Sequence, residues 1–161
     1  MTTRIRRAGA DDAALVLSFV RELATYEREP DAVEATPESL RDELASEHPP
    51  FECLIAELDG EPAGFALYFH NYSTWKGRRG IWLEDLFVSE RFRRRGIGRA
   101  LVGAVARIAV ERGCGRFEWA VLNWNRAAMD FYASLGASAR DEWQIWRLSG
   151  EPLVALGRER R

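Results

Sequence analysis

The stretch Leu83-Glu84-Asp85-Leu86-Phe87-Val88-Ser89-Glu90-Arg91-Phe92-Arg93-Arg94-Arg95-Gly96-Ile97-Gly98-Arg99 decides how this chain is read. Ile81 to Val88 predicts a strand. Arg93 to Gly98 predicts a glycine-bearing turn, and Ile97, Leu101, Val105, Ile108 and Ala109 recur at helical spacing as far as Arg112. A strand, a turn and a helix start in that order aim backbone N–H groups and the positive end of a helix dipole at one point, where a phosphate can sit. Gly96 and Gly98 let the backbone come close to such a ligand, and the arginines around them offer charge-assisted hydrogen bonds to phosphate oxygens. Two other phosphate-binding patterns are excluded by spacing. G-x-x-x-x-G-K-[ST] lacks its Lys and Ser/Thr, and G-x-G-x-x-G fails because position 101 is Leu.

Working outward, Thr3 to Arg7 predicts a short edge strand. Asp11-Asp12 offers a cap for a helix through Leu15, Val16, Phe19, Val20 and Leu23 that stops between Tyr26 and Glu29. Thr36-Pro37 caps a second helix, with Leu40 and Leu44 on its apolar face, ending before Pro49-Pro50. Phe51 to Leu58 and Ala63 to Phe69 flank Asp59-Gly60-Glu61-Pro62 as an antiparallel hairpin, with a loop at Gly77 and Gly80 before the strand at Ile81. Beyond Gly113, Phe117 to Leu122 predicts a strand. A helix capped by Asn125 follows through Met129, Tyr132 and Leu135 to Gly136, then a last strand from Trp143 to Leu148 and a frayed, charged tail of ten residues. The order βααβββαβαβ is that of a single α+β domain spanning 1–161, with a mixed, mostly antiparallel sheet flanked by helices.

Composition narrows the function. The 161 residues are 47% hydrophobic and 30% charged, which suits one globular domain with a full core and excludes disorder and collagen. No apolar run reaches the ~18 residues of a membrane span, and Met1 to Arg7 leads into polar residues rather than a signal core, so a soluble cytoplasmic protein without membrane partners is expected. Cys53 and Cys114, with only His48 and His70 beside them, support neither a disulfide framework nor a metal site; both cysteines are read as small buried hydrophobes. The six tryptophans are read mostly as core. A net charge of −2 argues against nucleic acid as a partner. The distribution is more telling: Glu22 to Glu61 holds thirteen acidic residues against Arg28 and Arg41 alone, while Arg91 to Arg99 holds five arginines. One region suits a cation and the other an anion.

Arg93-x-x-Gly96-x-Gly98 after an acidic strand, in this element order, resembles the pyrophosphate loop of the GNAT acetyl-coenzyme A N-acetyltransferases. Asn125-Arg126-Ala127-Ala128-Met129-Asp130-Phe131-Tyr132 with Leu135-Gly136-Ala137 is similar to that family's second signature. Glu22-Leu23-Ala24-Thr25-Tyr26-Glu27, Tyr68-Phe69, Trp75, Leu83-Glu84-Asp85 and Val121 with Trp124-Asn125 resemble the diamine and polyamine branch, whose members act on spermidine, spermine or thialysine. The likeness runs from about Arg4 to Leu156.

The resemblance implies an acetyl-CoA cosubstrate, no metal, a small-molecule amine acceptor and a homodimer. It implies direct attack of a primary amine on the thioester, with Glu84 holding the ammonium or relaying its proton and Asp85 as the alternate. Adjacent strand residues face opposite ways, so both can serve only if a bulge intervenes. Tyr132 is implied as the acid toward the departing sulfur. Leu86, Phe87 and Val88 would line the acetyl group and pantetheine through their backbone; Arg93, Arg94, Arg95, Gly96, Ile97, Gly98 and Arg99 would hold the pyrophosphate; and Asn125, Arg126, Ala127 and Ala128 would flank the pantetheine or nucleotide. Tyr26 and Glu27 are placed near the acceptor. Gln144 stands where polyamine-specific members carry a distal glutamate, which favours a short diamine or a lysine-like amine. The alternatives are a GNAT enzyme acting on a protein N-terminus, a peptide lysine or an aminoglycoside, and a non-catalytic acetyl-CoA sensor.

Overall fold

In a computed structural model, which describes residues 1–159, β1 (Thr3–Arg7), β2 (Glu52–Leu58), β3 (Glu61–Ser73), β4 (Arg78–Val88) and β5 (Phe117–Trp119) form one sheet in sequence order. β1 to β4 pair antiparallel and β5 joins β4 in parallel. The helices are α1 (Ala13–Tyr26), α2 (Pro37–Ala45), α3 (Ile97–Glu111), α4 (Arg126–Ser134) and α5 (Gly150–Arg158). The chain divides into two compact units, Met1–Asn125 and Arg126–Arg161.

The first unit holds the sheet and α1 to α3. Its strands alternate, so the sheet buries both faces. Leu54, Ala56, Tyr68, Ile81 and Leu83 pack with Ile97, Leu101 and Val105 of α3, while Ile55, Phe65, Leu67 and Phe87 pack with Val16, Phe19 and Leu23 of α1. Local chemistry sets the ends. Thr36 accepts the Ser39 N–H at 3.1 Å and Pro37 opens α2. Asp12 does not cap α1 through its side chain. Its carboxylate turns back to the Gly9 N–H and to Arg6, which also holds Glu57, tying β1 to β2 and to the start of α1. The long hairpin runs past the predicted ends, because Gly80 lies within β4 opposite Asn71, where a Cβ would stand 2.4 Å from the Asn71 Oδ1. Side-chain bulk is what that position cannot take.

In the second unit α4 and α5 are joined by residues 135–149, which contain no regular helix or strand. The strand predicted at Trp143 to Leu148 is therefore absent, and of the tail predicted to fray, residues 152–158 belong to α5 while residues 160 and 161 lie outside the described residues. Trp143, Ile145, Trp146 and Leu148 put apolar side chains on both faces of an extended segment, which needs cover on both sides, and all four are exposed. Ser149 precedes α5, with Glu151 and Pro152 in its first turn, both compatible with a helix start. β5 also stops at Trp119 rather than Leu122. The tryptophans correct the reading as core: Trp75, Trp124, Trp143 and Trp146 are exposed and none of the six is fully buried. Cys53 is buried as expected, its thiol pushed up to about 12 by burial, and Cys114 is half-buried.

Candidate active site

The centre of the first unit is a β-bulge. Leu67 pairs with Asp85 and Tyr68 with Leu83, so Glu84 is the extra residue on β4. The alternation that would send Glu84 and Asp85 to opposite faces is broken at the one place where the sequence reading needed it broken. Glu84 is exposed and its carboxylate accepts the Trp82 indole N–H at 2.9 Å. Asp85 is the more buried of the two, and burial, with the negative charges of Glu84 and Glu27 behind it, pushes its carboxyl up to about 7. Glu27, just past the end of α1, is also raised by burial. Three carboxylates thus share one electrostatic neighbourhood, and the innermost is poised to exchange a proton near neutral pH.

The bulge also shapes the rest of β4. β5 pairs with β4 only at Ile81, Trp82 and Leu83, so from Glu84 to Val88 that edge of β4 has no strand beside it among the described residues. An extended amide-bearing arm can add there as a strand would. Directly beyond, α3 begins at Ile97 from Gly96, whose φ of +77° and that of Arg94 at +61° turn the chain sharply into the helix. The N–H groups of the first turn have no partners within the helix, and a Cβ on Gly96 would meet nothing within 4 Å. Arg94, Arg95 and Arg99 are exposed around this terminus. An open strand edge leading to an arginine-rimmed helix start fits pantetheine followed by pyrophosphate.

Arg93 stands apart from its neighbours. Its Nε donates to the Val88 carbonyl at 3.1 Å, and its guanidinium lies 4.7 Å from the Tyr26 ring centroid and 5.6 Å from that of Phe87. It joins the strand end to α1. Tyr26 in turn donates to the Asn125 Oδ1 at 3.3 Å and tilts against Trp124, whose ring carries the Arg28 guanidinium at 4.1 Å. The structure therefore brings Tyr26, Glu27, Glu84, Asp85, Arg93 and Asn125 into one region of the first unit. Arg28 and Trp124 belong there too. The sequence reading passed over Arg28, although its isolation in an acidic run was visible; its positive φ of 67° was not.

The second unit carries the remaining candidates. Tyr132 lies on α4, half-buried, with its ring against Phe131, and its carbonyl accepts the Leu135 and Ala137 N–H groups that close the helix. Arg126, Ala127 and Ala128 form the first turn of α4. Gln144 is exposed, and Glu142 close by is paired with Arg140. Among the described residues no group of three His, Cys, Asp or Glu side chains could hold a metal.

The strand–turn–helix arrangement is compatible with an acyltransferase, and the match to the acetyltransferase (GNAT) family over residues 17–137 shows that the chain belongs to that family. A thialysine N-epsilon-acetyltransferase of Bos taurus is 41% identical over 94% of this chain and 95% of its own length. An L-ornithine N5-acetyltransferase of Arabidopsis thaliana is 45% identical over 58% of this chain and 41% of its own. Among solved structures, an integron cassette protein from the mobile metagenome of V. cholerae superposes with a TM-score of 0.82 at 31% identity, covering 99% of both chains.

Proposed function

We propose that this enzyme moves the acetyl group of acetyl-CoA to a primary amine of a small diamine, polyamine or lysine-like acceptor, by direct attack. The bulge at Glu84 carries the reading, because it sets two carboxylates, with Glu27 near them, where β4 turns toward the arginine-rimmed start of α3. A chain similar to thialysine and ornithine acetyltransferases fits it.

On this reading the acidic surface from Glu22 to Glu61 draws the cation in, and Glu27, Glu84 and Tyr26 hold it. The ammonium, with a pKa of about 10, must lose its proton before nitrogen can attack. Asp85 takes it, directly or through water, since a carboxyl near 7 accepts a proton far better than an ordinary carboxylate. That moves the base from Glu84, the residue favoured by the sequence, to its neighbour. The backbone of Leu86, Phe87 and Val88 holds the acetyl carbonyl and pantetheine. The α3 N-terminus, with Arg94, Arg95, Gly96, Ile97, Gly98 and Arg99, holds pyrophosphate, and Arg93 braces the acceptor wall. Asn125 with Arg126, Ala127 and Ala128 flanks the coenzyme, and Tyr132 returns a proton to the sulfur.

The reading includes one domain over 1–161, since the family match runs across Asn125. It includes a cytoplasmic location; no helix among the described residues is long and apolar enough to cross a membrane. It includes a homodimer, because Trp143, Ile145, Trp146, Leu148, Leu153 and Leu156 are all exposed in the second unit and a second copy would cover them. Thiol release from acetyl-CoA, followed with putrescine, spermidine, spermine, thialysine, lysine, ornithine, an aminoglycoside and an N-terminal peptide, tests the reading. Turnover with a short diamine or a lysine-like amine is expected; turnover with the peptide or aminoglycoside alone, or with none, would overturn it.

A further inference from the structure

The acceptor region contains a cation as well as carboxylates, and an amine acetyltransferase built only for diamines has no use for one. Arg28 is one of two basic residues between Glu22 and Glu61. Glu27 and Glu29 flank it, yet among the described residues Arg28 forms no ion pair with either. Its guanidinium carbon lies over the Trp124 ring, 4.1 Å from the centroid. The Trp124 ring meets Tyr26, whose hydroxyl is bonded to Asn125. The backbone is held in the left-handed region at φ +67°, a conformation a non-glycine residue adopts at a cost. The ring lies against one side of the guanidinium, and Arg28 as a whole is exposed, so its N–H donors can be reached from solvent.

We propose that Arg28 binds the α-carboxylate of the acceptor, so that the preferred substrate is an α-amino acid bearing a terminal amine rather than a diamine or polyamine. The inference rests on the amine-acetyltransferase reading above. Glu27 is the hinge of the argument. It is one residue from Arg28 and close enough to Asp85 for its charge to raise that carboxyl, so carboxylates and guanidinium serve one ligand carrying both signs. The ammonium to be acetylated goes to Glu27, Glu84 and Asp85, and the carboxylate at the far end goes to the Arg28 fork. Arg93 is the rival cation, but its Nε is committed to the Val88 carbonyl. Arg28 thereby selects against polyamines by placing a positive charge where their second ammonium would lie.

The test compares acceptors that differ in one group. kcat/KM is measured with lysine, lysinamide and cadaverine, and with ornithine and putrescine, for the unaltered enzyme and for Arg28→Met and Arg28→Lys. The unaltered enzyme should favour each amino acid over its decarboxylated partner and over lysinamide by about tenfold or more, the usual weight of a charge-assisted bond. Arg28→Met should lose that preference through KM for the amino acids, leaving cadaverine and putrescine within about twofold or improved. Arg28→Lys should restore part of it. KM for acetyl-CoA and the melting temperature should stay as they are, which separates a lost contact from a disturbed fold. Equal use of lysine and cadaverine by the unaltered enzyme, or an equal loss on both in Arg28→Met, would overturn the assignment. Turnover with none of these amines would instead overturn the reading beneath it.

Discussion

At the scale of single residues the proton account turns on Asp85. Its carboxyl is held near 7 by burial and by the charges of Glu84 and Glu27, so kcat/KM should climb as pH rises through about 7. Asp85→Asn should remove that limb and reduce kcat by about 100-fold or more, as loss of a general base does. The neighbouring variant has the opposite pH signature. Glu84→Gln removes a charge that raises Asp85, so the limb should move to lower pH; a move to higher pH would return the base role to Glu84. Linkage gives a second check. A carboxyl raised in the folded state makes folding more favourable at low pH, and that contribution is lost as pH rises from about 4 to 7. Asp85→Asn should therefore melt higher than the unaltered protein above pH 7, with the advantage fading below pH 4. Activity and stability would part at one side chain. Tyr132→Phe should lose most turnover while acetyl-CoA still binds, as measured by calorimetry.

Elements divide into those whose signal is local and those that depend on their surroundings. α2 was legible because Thr36, Pro37 and Ser39 write a helix start within four residues, and α3 because its apolar positions and Gly96 agree. The strand, glycine turn and helix start from Ile81 to Glu111 were legible for the same reason. The bulge was not: nothing in Leu83-Glu84-Asp85 announces that Glu84 will have no residue opposite it on β3, since that depends on the register of that strand. Nor was the second unit's end: Trp143 to Leu148 is rich in strand formers yet contains no strand, and α5 occupies Gly150–Arg158, where the charged composition suggested fraying. Arg28 and Trp124 show the same limit from the other side, being surface residues whose meeting is decided by where α1 ends. The register can be tested where backbones touch. Gly64 lies against β4 so closely that a Cβ would stand 2.4 Å from the Phe87 carbonyl oxygen and 3.0 Å from the Val88 Cα. Gly64→Ala should lower the unfolding free energy in urea by about 1–3 kcal/mol and raise KM for acetyl-CoA by displacing the coenzyme edge.

For the whole molecule, the exposed apolar residues of the second unit predict a concentration-dependent dimer. Sedimentation velocity should show twice the monomer mass at micromolar protein, and Trp146→Glu should shift it toward monomer; a single monomeric species throughout would remove the dimer from the proposed function. Charge works at this scale too. Acidic and arginine-rich stretches lie apart in sequence, so amine capture and coenzyme capture should both weaken with salt while resting on different residues. The edge of β4 left bare by the short β5 has a consequence for the protein in a cell. Strands with unsatisfied amides are templates for other strands, and the charged bulge at Glu84 guards only the start of this edge, since Leu86 to Val88 carry neither charge nor proline. If the pantetheine arm adds along this edge as proposed, acetyl-CoA should slow aggregation of the enzyme on heating, as light scattering would show.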